Sequence, residues 1–244
     1  MPRVGFLVTV FLLIAAALLS RARAQNETTA LALAEKIARS HGLAHFANIE
    51  VLEYTFNAAR GGKTVSRHWR WLPQTDEVYY QGPGPEGKPI SFHYKRSQLK
   101  ADSSKLIRFV DQRFINDQYW LLFPLHLVWD REVQLLYDGK APFPIPPGEG
   151  PHLIVRYGNV GYTPGDVYEL FVDSNYRLRQ WIFRRGGSKK PTLICTWEGY
   201  VKLGPLWIAT QHWSADRSFH LWFTDLRLRM ATAQIWLEPE KMPE

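Results

Sequence analysis

Along IEVLEYTFNAAR (49–60), Leu52, Tyr54, Phe56 and Ala58 fall on one face of an extended chain, and Glu53, Thr55 and Asn57 on the other. The rhythm resumes after Arg60-Gly61-Gly62 in KTVSRHWRWL, where Val65, Arg67, Trp69 and Trp71 oppose Thr64, Ser66, His68 and Arg70. Two period-two runs joined by Gly-Gly predict a β-hairpin. EVYYQ (77–81) and ISFHYKR (90–96) predict two more strands around the loop GPGPEGKP. VQLLYDG (133–139) predicts another strand, and APFPIPPGEGP (141–151) a proline-rich loop. The last third repeats the pattern in HLIVRYGN, DVYELFVD, YRLRQWIFRR, PTLICTWEGYVKL, LWIATQHWSAD and FHLWFTDLRLR, divided by turn residues. In YRLRQWIFRR both faces carry apolar bulk, so the second face of that sheet is expected to be partly covered.

Two stretches follow a longer period. In ETTALALAEKIARS, Leu31, Ala34, Ile37 and Ala38 share one face, with Asn26 placed as N-cap and Gly42 as stop. In SSKLIRFVDQRFINDQYWLLF (103–123), Leu106, Val110, Phe114 and Ile115 share a side, and Pro124 predicts an end near Phe123. The fold expected is α+β, mainly β: a large curved antiparallel sheet, an incomplete barrel, with an N-terminal helix and an inserted helical lid.

The N-terminus reads as an export signal: Arg3, the apolar run VGFLVTVFLLIAAALLS, and Ala22-Arg23-Ala24 ahead of Gln25. Residues 1–24 are expected to be a cleaved signal peptide and 25–244 a single domain, periplasmic or secreted, with no stable membrane span after cleavage. The rival is an uncleaved anchor, since the run is near the ~18-residue lower limit for a spanning helix. The net charge is +7, and removing Arg3, Arg21 and Arg23 lowers it to +4. Such scattered basic residues do not make a nucleic-acid face. Cys195 is the only cysteine, so no internal disulfide forms, and its apolar neighbours point to a buried inert thiol. The ten Trp, eleven Tyr and thirteen Phe are suited both to β cores and to ligand pockets.

Motif chemistry is sparse. GPGPEG matches a glycine-rich phosphate loop by letter, but Pro83 and Pro85 remove two amides and strand-like sequence follows, so it reads as an ordinary loop. No nucleophile elbow, zinc signature or paired C-x-x-C is present, and no metal or cofactor is expected. Strand carboxylates such as Glu53, Asp166 and Glu169 show no spacing that selects a catalytic pair. In FINDQYWLLFPLHLVWD (114–130), Asp117, His126 and Asp130 form the one candidate catalytic set, weighed against structural capping and turn roles. Aromatics give the stronger signal. A bent sheet with little helix on its inner side leaves a hollow, and Trp69, Trp71, Phe114, Tyr119, Trp120, Phe123, Trp129, Trp181, Trp197 and Trp222 are expected to line it.

The order of helix, hairpin, helical insert and long antiparallel strands resembles the LolA-like periplasmic superfamily of lipoprotein carriers and lipid-binding envelope proteins. VYELFVDSNYRLRQWIFRR, a turn, and TWEGYVKLGPLWIAT carry the resemblance, and FINDQYWLLFPLHLVWD looks like a segment of uncharacterised exported bacterial proteins of that superfamily. The resemblance implies an incomplete barrel whose helices cover a cavity for acyl chains, with the 103–130 segment as its lid. The expected function is therefore non-catalytic binding of a lipid-like or other hydrophobic ligand, with Arg67, Arg70, Arg179 or Arg184 meeting an anionic head group at the rim. An envelope partner protein fits the same role. The alternatives are an envelope hydrolase using Asp117, His126 and Asp130, and an interaction module with a solid interior and an exposed apolar patch.

Overall fold

The structure is a computed structural model that describes residues 3–100, 102–158 and 161–240. Residues 1–2 of the expected leader, Asn159 at the end of an expected strand, and 241–244 lie outside the described residues.

The chain opens with helix α1 (Arg3–Ser40), which runs through the apolar leader and the expected mature helix without a break. No glycine or proline separates the two segments, so nothing stops the helix between them. Asn26 is therefore inside the helix and not its cap. Its side chain instead donates to Tyr137 O at 2.7 Å and accepts from Tyr137 N at 3.2 Å. The buried stripe is Ala30, Leu33, Ala34, Ile37 and Ala38, while Leu31 points outward. Gly42 ends this segment with φ +103°, where a Cβ would stand 2.5 Å from Pro205 O. The short helix α2 (Leu43–Phe46) follows.

Strands β1 (Ile49–Arg60) and β2 (Lys63–Leu72) form the expected hairpin. Arg60 pairs with Lys63, and Gly61 and Gly62 take φ +56° and +75° in the two-residue turn. Then come β3 (Glu77–Pro83) and β4 (Pro89–Lys95), with GPGPEG in the turn between them, and a 3-10 turn at Arg96–Gln98.

Helix α3 (Lys105–Trp129) is capped by Ser104, whose hydroxyl accepts from Ile107 N at 3.3 Å. It does not end at Phe123. The chain bends at Leu122 (φ −125°, ψ 17°), carries Pro124 past the bend, and stays helical to Trp129. Residues 120–127 are buried on every side. The 3.6 period of the first half is lost there because this half of the helix has no solvent face.

The remaining strands are β5 (Val133–Pro142), β6 (Glu149–Tyr157), β7 (Val167–Val172), β8 (Leu178–Arg184), β9 (Leu193–Thr196), β10 (Glu198–Leu203), β11 (Leu206–Trp213), β12 (Phe219–Met230) and β13 (Trp236–Leu237). They make two antiparallel sheets, not closed into a barrel. One has the order β10-β11-β12-β1-β2-β3-β4, with β13 paired to β12, and the other runs β5-β6-β7-β8-β9. The chain crosses from the second sheet to the first within one extended run, interrupted only at Trp197, and a Cys195–Ser214 bridge joins the sheets there. Cys195 is buried, and that burial pushes its thiol up to about 12. Helix α3 packs along the inner faces, with α1 against α3 and β5. Among the described residues no helix is long and apolar enough to cross a membrane.

Candidate ligand-binding site

Helix α3 carries three acidic residues into the interior or its edge, and each meets a separate group of donors. Asp111 accepts from Tyr94 Oη and Arg96 Nε, both at 2.8 Å, and from Tyr162 Oη at 2.7 Å. Asp117, fully buried, accepts from Arg67 Nε at 2.7 Å, Arg67 Nη2 at 2.6 Å, Trp69 Nε1 at 2.8 Å and Asn116 Nδ2 at 3.0 Å. Burial works against the Arg67 charge, but the attraction of Asp117 outweighs it and raises the guanidinium above its usual pKa. This is a fully satisfied buried ion pair fixing α3 to β2.

Asp130 ends α3 and accepts from Tyr119 Oη, from Tyr157 Oη at 2.9 Å, and pairs with His126 Nδ1 at 2.9 Å. Burial opposes its ionisation, yet the hydrogen bond and charge of His126, with the two phenols, hold its carboxyl below the usual value. An ionised Asp130 accepts, so Nδ1 carries the proton and Nε2 is the free ring atom. Asp117 and His126 lie nine positions apart on one helix, about 13 Å along its axis. The three-residue hydrolytic set is thus divided: His126 and Asp130 meet, while Asp117 is locked against β2. Among the described residues no group of three or more His, Cys, Asp or Glu is placed to hold a metal.

Beside this helix lies a chamber of about 610 Å³, between α3 and the inner face of β6–β9, with Arg60 and Phe219 also in its lining. Trp120, Tyr168, Trp181 and Phe183 are in its wall, together with Gln112, Asn116 and Asp166. Three buried polar atoms of this lining have no partner: Trp181 Nε1, Asp166 Oδ2 and His126 Nε2. The other Asp166 oxygen accepts from Gly186 N at 2.8 Å. A more open pocket of about 440 Å³ adjoins it, walled by Phe46, Trp71, Gln74 and Trp129. Arg96, Gln118 and His126 belong to both walls, so this smaller mouth and the chamber stand side by side with three wall residues in common.

The aromatic residues expected to line a hollow divide into three groups. Tyr119, Trp120 and Trp181 are in the chamber wall, and Trp71 and Trp129 in the mouth. Trp69, Phe114, Phe123 and Trp197 are buried behind these walls, in ring contact with Tyr80, Trp71 and Trp181. Trp222 is on the opposite face of its sheet: Leu221 and Phe223 turn inward, and Trp222 stacks outside on His220, which stacks on Trp213. Three of the four arginines expected at the rim are engaged by carboxylates of the protein itself. Arg67 is paired with Asp117, Arg70 with Glu53, and Arg184 with Glu169.

Sequence reasoning missed Tyr157, Tyr162, Asp166 and Tyr168. Phe183 was legible, because it alternates onto the face of Trp181. Tyr162 follows no strand period and carried no signal.

No family model and no curated protein matches the chain. Among solved structures it is similar to a DUF1329 family protein from Desulfovibrio piger, with 12% identity over 85% of this chain and 94% of that one, TM-score 0.49. It is also similar to a domain assigned to outer membrane lipoprotein sorting from Vibrio parahaemolyticus (12% identity, 84% and 94% covered, TM-score 0.46). A third match is the Mycobacterium tuberculosis lipoprotein LppX (9% identity, 80% and 94% covered, TM-score 0.32).

Proposed function

We propose that the protein is an exported, non-catalytic binding protein that holds an amphipathic, lipid-like ligand in the chamber between α3 and the second sheet. The observation that carries this reading is the chamber itself. At about 610 Å³ it falls in the range of small-molecule sites, roughly 300–1,000 Å³, and its wall is aromatic with a few polar atoms left unpaired. Burying a polar atom without a partner costs about 1–3 kcal/mol, and a ligand that supplies the partner recovers part of that cost. Apolar ligand surface adds about 25 cal/mol per Å² removed from water.

Export is part of the same proposal. Residues 20–25 are exposed along α1, while Asn26 bonds to Tyr137 and Ala30 is buried. Removal of residues 1–24 therefore leaves the packed part of the helix intact. Native mass spectrometry of protein recovered gently from an envelope fraction tests both points. The expected species begins at Gln25 and carries a bound lipid-like molecule. Protein that is free of adduct and takes up no fatty-acid probe overturns the binding reading, and a mass that retains the leader overturns the cleavage.

A further inference from the structure

The mouth contains two polar groups that the fold leaves without a use. Trp71 Nε1 and His126 Nε2 are both buried and unpartnered, and both residues line the same open pocket. Their rings are linked around it: Phe46 contacts Trp71 at 5.6 Å and Trp129 at 4.5 Å, and Trp129 contacts His126 at 5.4 Å. Gln74, Gln118 and Arg96 complete the polar part of this wall, with Gln74 donating to Ala47 O at 3.2 Å. Arg96 is fixed by Asp111, so its charge is already balanced, and the pull on a ligand comes from directed donors more than from net charge. An indole N–H can only donate. With its Nδ1 on Asp130, His126 leaves Nε2 as the ring atom without a partner.

We infer that the mouth communicates with the chamber past the shared Gln118 and is a head-group site for a carboxylate or comparable anionic oxygen group, whose apolar part runs along that route into the chamber. This inference rests on the chamber reading and adds to it the chemistry of the polar end. The Trp71 N–H and the polar wall of the open pocket stand next to the aromatic wall of the chamber, so a single amphiphile has both parts satisfied at once.

Binding of palmitate and methyl palmitate, which share a chain and differ in the head group, tests it in the full protein and in Trp71→Phe. The wild type is expected to bind palmitate about tenfold tighter than the ester, the margin of one charge-assisted hydrogen bond. Trp71→Phe keeps the ring and removes the N–H. It is expected to lose most of that margin, to bind the ester within about twofold of wild type, and to be no less stable without ligand, because the deleted donor had no partner. Acetate is expected not to displace palmitate. Equal affinity of the wild type for acid and ester overturns the head-group site and leaves the chamber standing, and that comparison holds even where Trp71→Phe does not fold. Binding of neither probe overturns the chamber reading itself. Displacement by acetate overturns the joint recognition of head and chain.

Discussion

At the scale of single residues, the polar members of FINDQYWLLFPLHLVWD are divided by their partners. Asp117 is bound by Arg67, Trp69 and Asn116 and has no exposed surface, so its role is to hold α3 against β2. Replacing Arg67 by Met leaves a buried carboxylate without its counter-charge, which typically costs about 3–5 kcal/mol. The double variant Arg67→Met, Asp117→Leu is expected to regain most of that loss, and urea denaturation of the four proteins of this cycle measures it. A single variant that loses under 1 kcal/mol would show that the pair does not hold the helix. The apolar stretch with its embedded acids was visible in the sequence, whereas the partner of Asp117, on a strand 50 positions upstream, was not. No local spacing encodes a contact between a helix and a distant strand.

At the scale of elements, period-two runs located nearly every strand, because one face of each sheet is filled with apolar side chains. The helices were harder to delimit. Pro124 stands where a surface helix would end, yet α3 continues because residues 120–127 pass through the core and packing outweighs the lost backbone bond. Asn26 had the residue type of a cap, but its amide binds both backbone groups of Tyr137, tying α1 to β5. Asn26→Ala removes two hydrogen bonds at about 0.5–1.5 kcal/mol each. The expected outcome is a loss of roughly 1–3 kcal/mol in urea denaturation, with faster amide exchange confined to the start of the packed helix. Unchanged exchange there would show that the stripe from Ala30 to Ala38 anchors the helix alone.

For the whole molecule, two histidines make stability depend on pH. His41 and His212 are fully buried, and that burial lowers each pKa from 6.5 to about 3. His41 keeps one ring nitrogen on Ile37 O and the other on Tyr200 Oη, and His212 has Nδ1 on Thr196 O. Above pH 6.5 neither the folded nor the unfolded chain protonates them, and stability is flat in this respect. Between 6.5 and about 3 the unfolded chain takes up protons that the folded protein refuses, so stability falls as pH falls. Each group contributes up to about 1.4 kcal/mol per pH unit in that window. Melting temperature is expected to drop between pH 7.5 and 5, and His212→Gln to weaken the drop. A flat profile across that range contradicts the burial of neutral rings.

The pairing of β1 with β12 has a consequence for the order in which the protein is made. Glu53 and its partner Arg227 stand 174 positions apart, so the central pair of the larger sheet waits for nearly the last strand to be synthesised. A growing chain has no template for that pair and pays the entropy of closing a very long loop only at the end. Until then the N-terminal hairpin has one open edge, and under the proposed export the incomplete sheet leaves the chain free to be threaded through a translocation pore. Under the proposed export, native structure then completes on the far side, once the C-terminal strands have crossed.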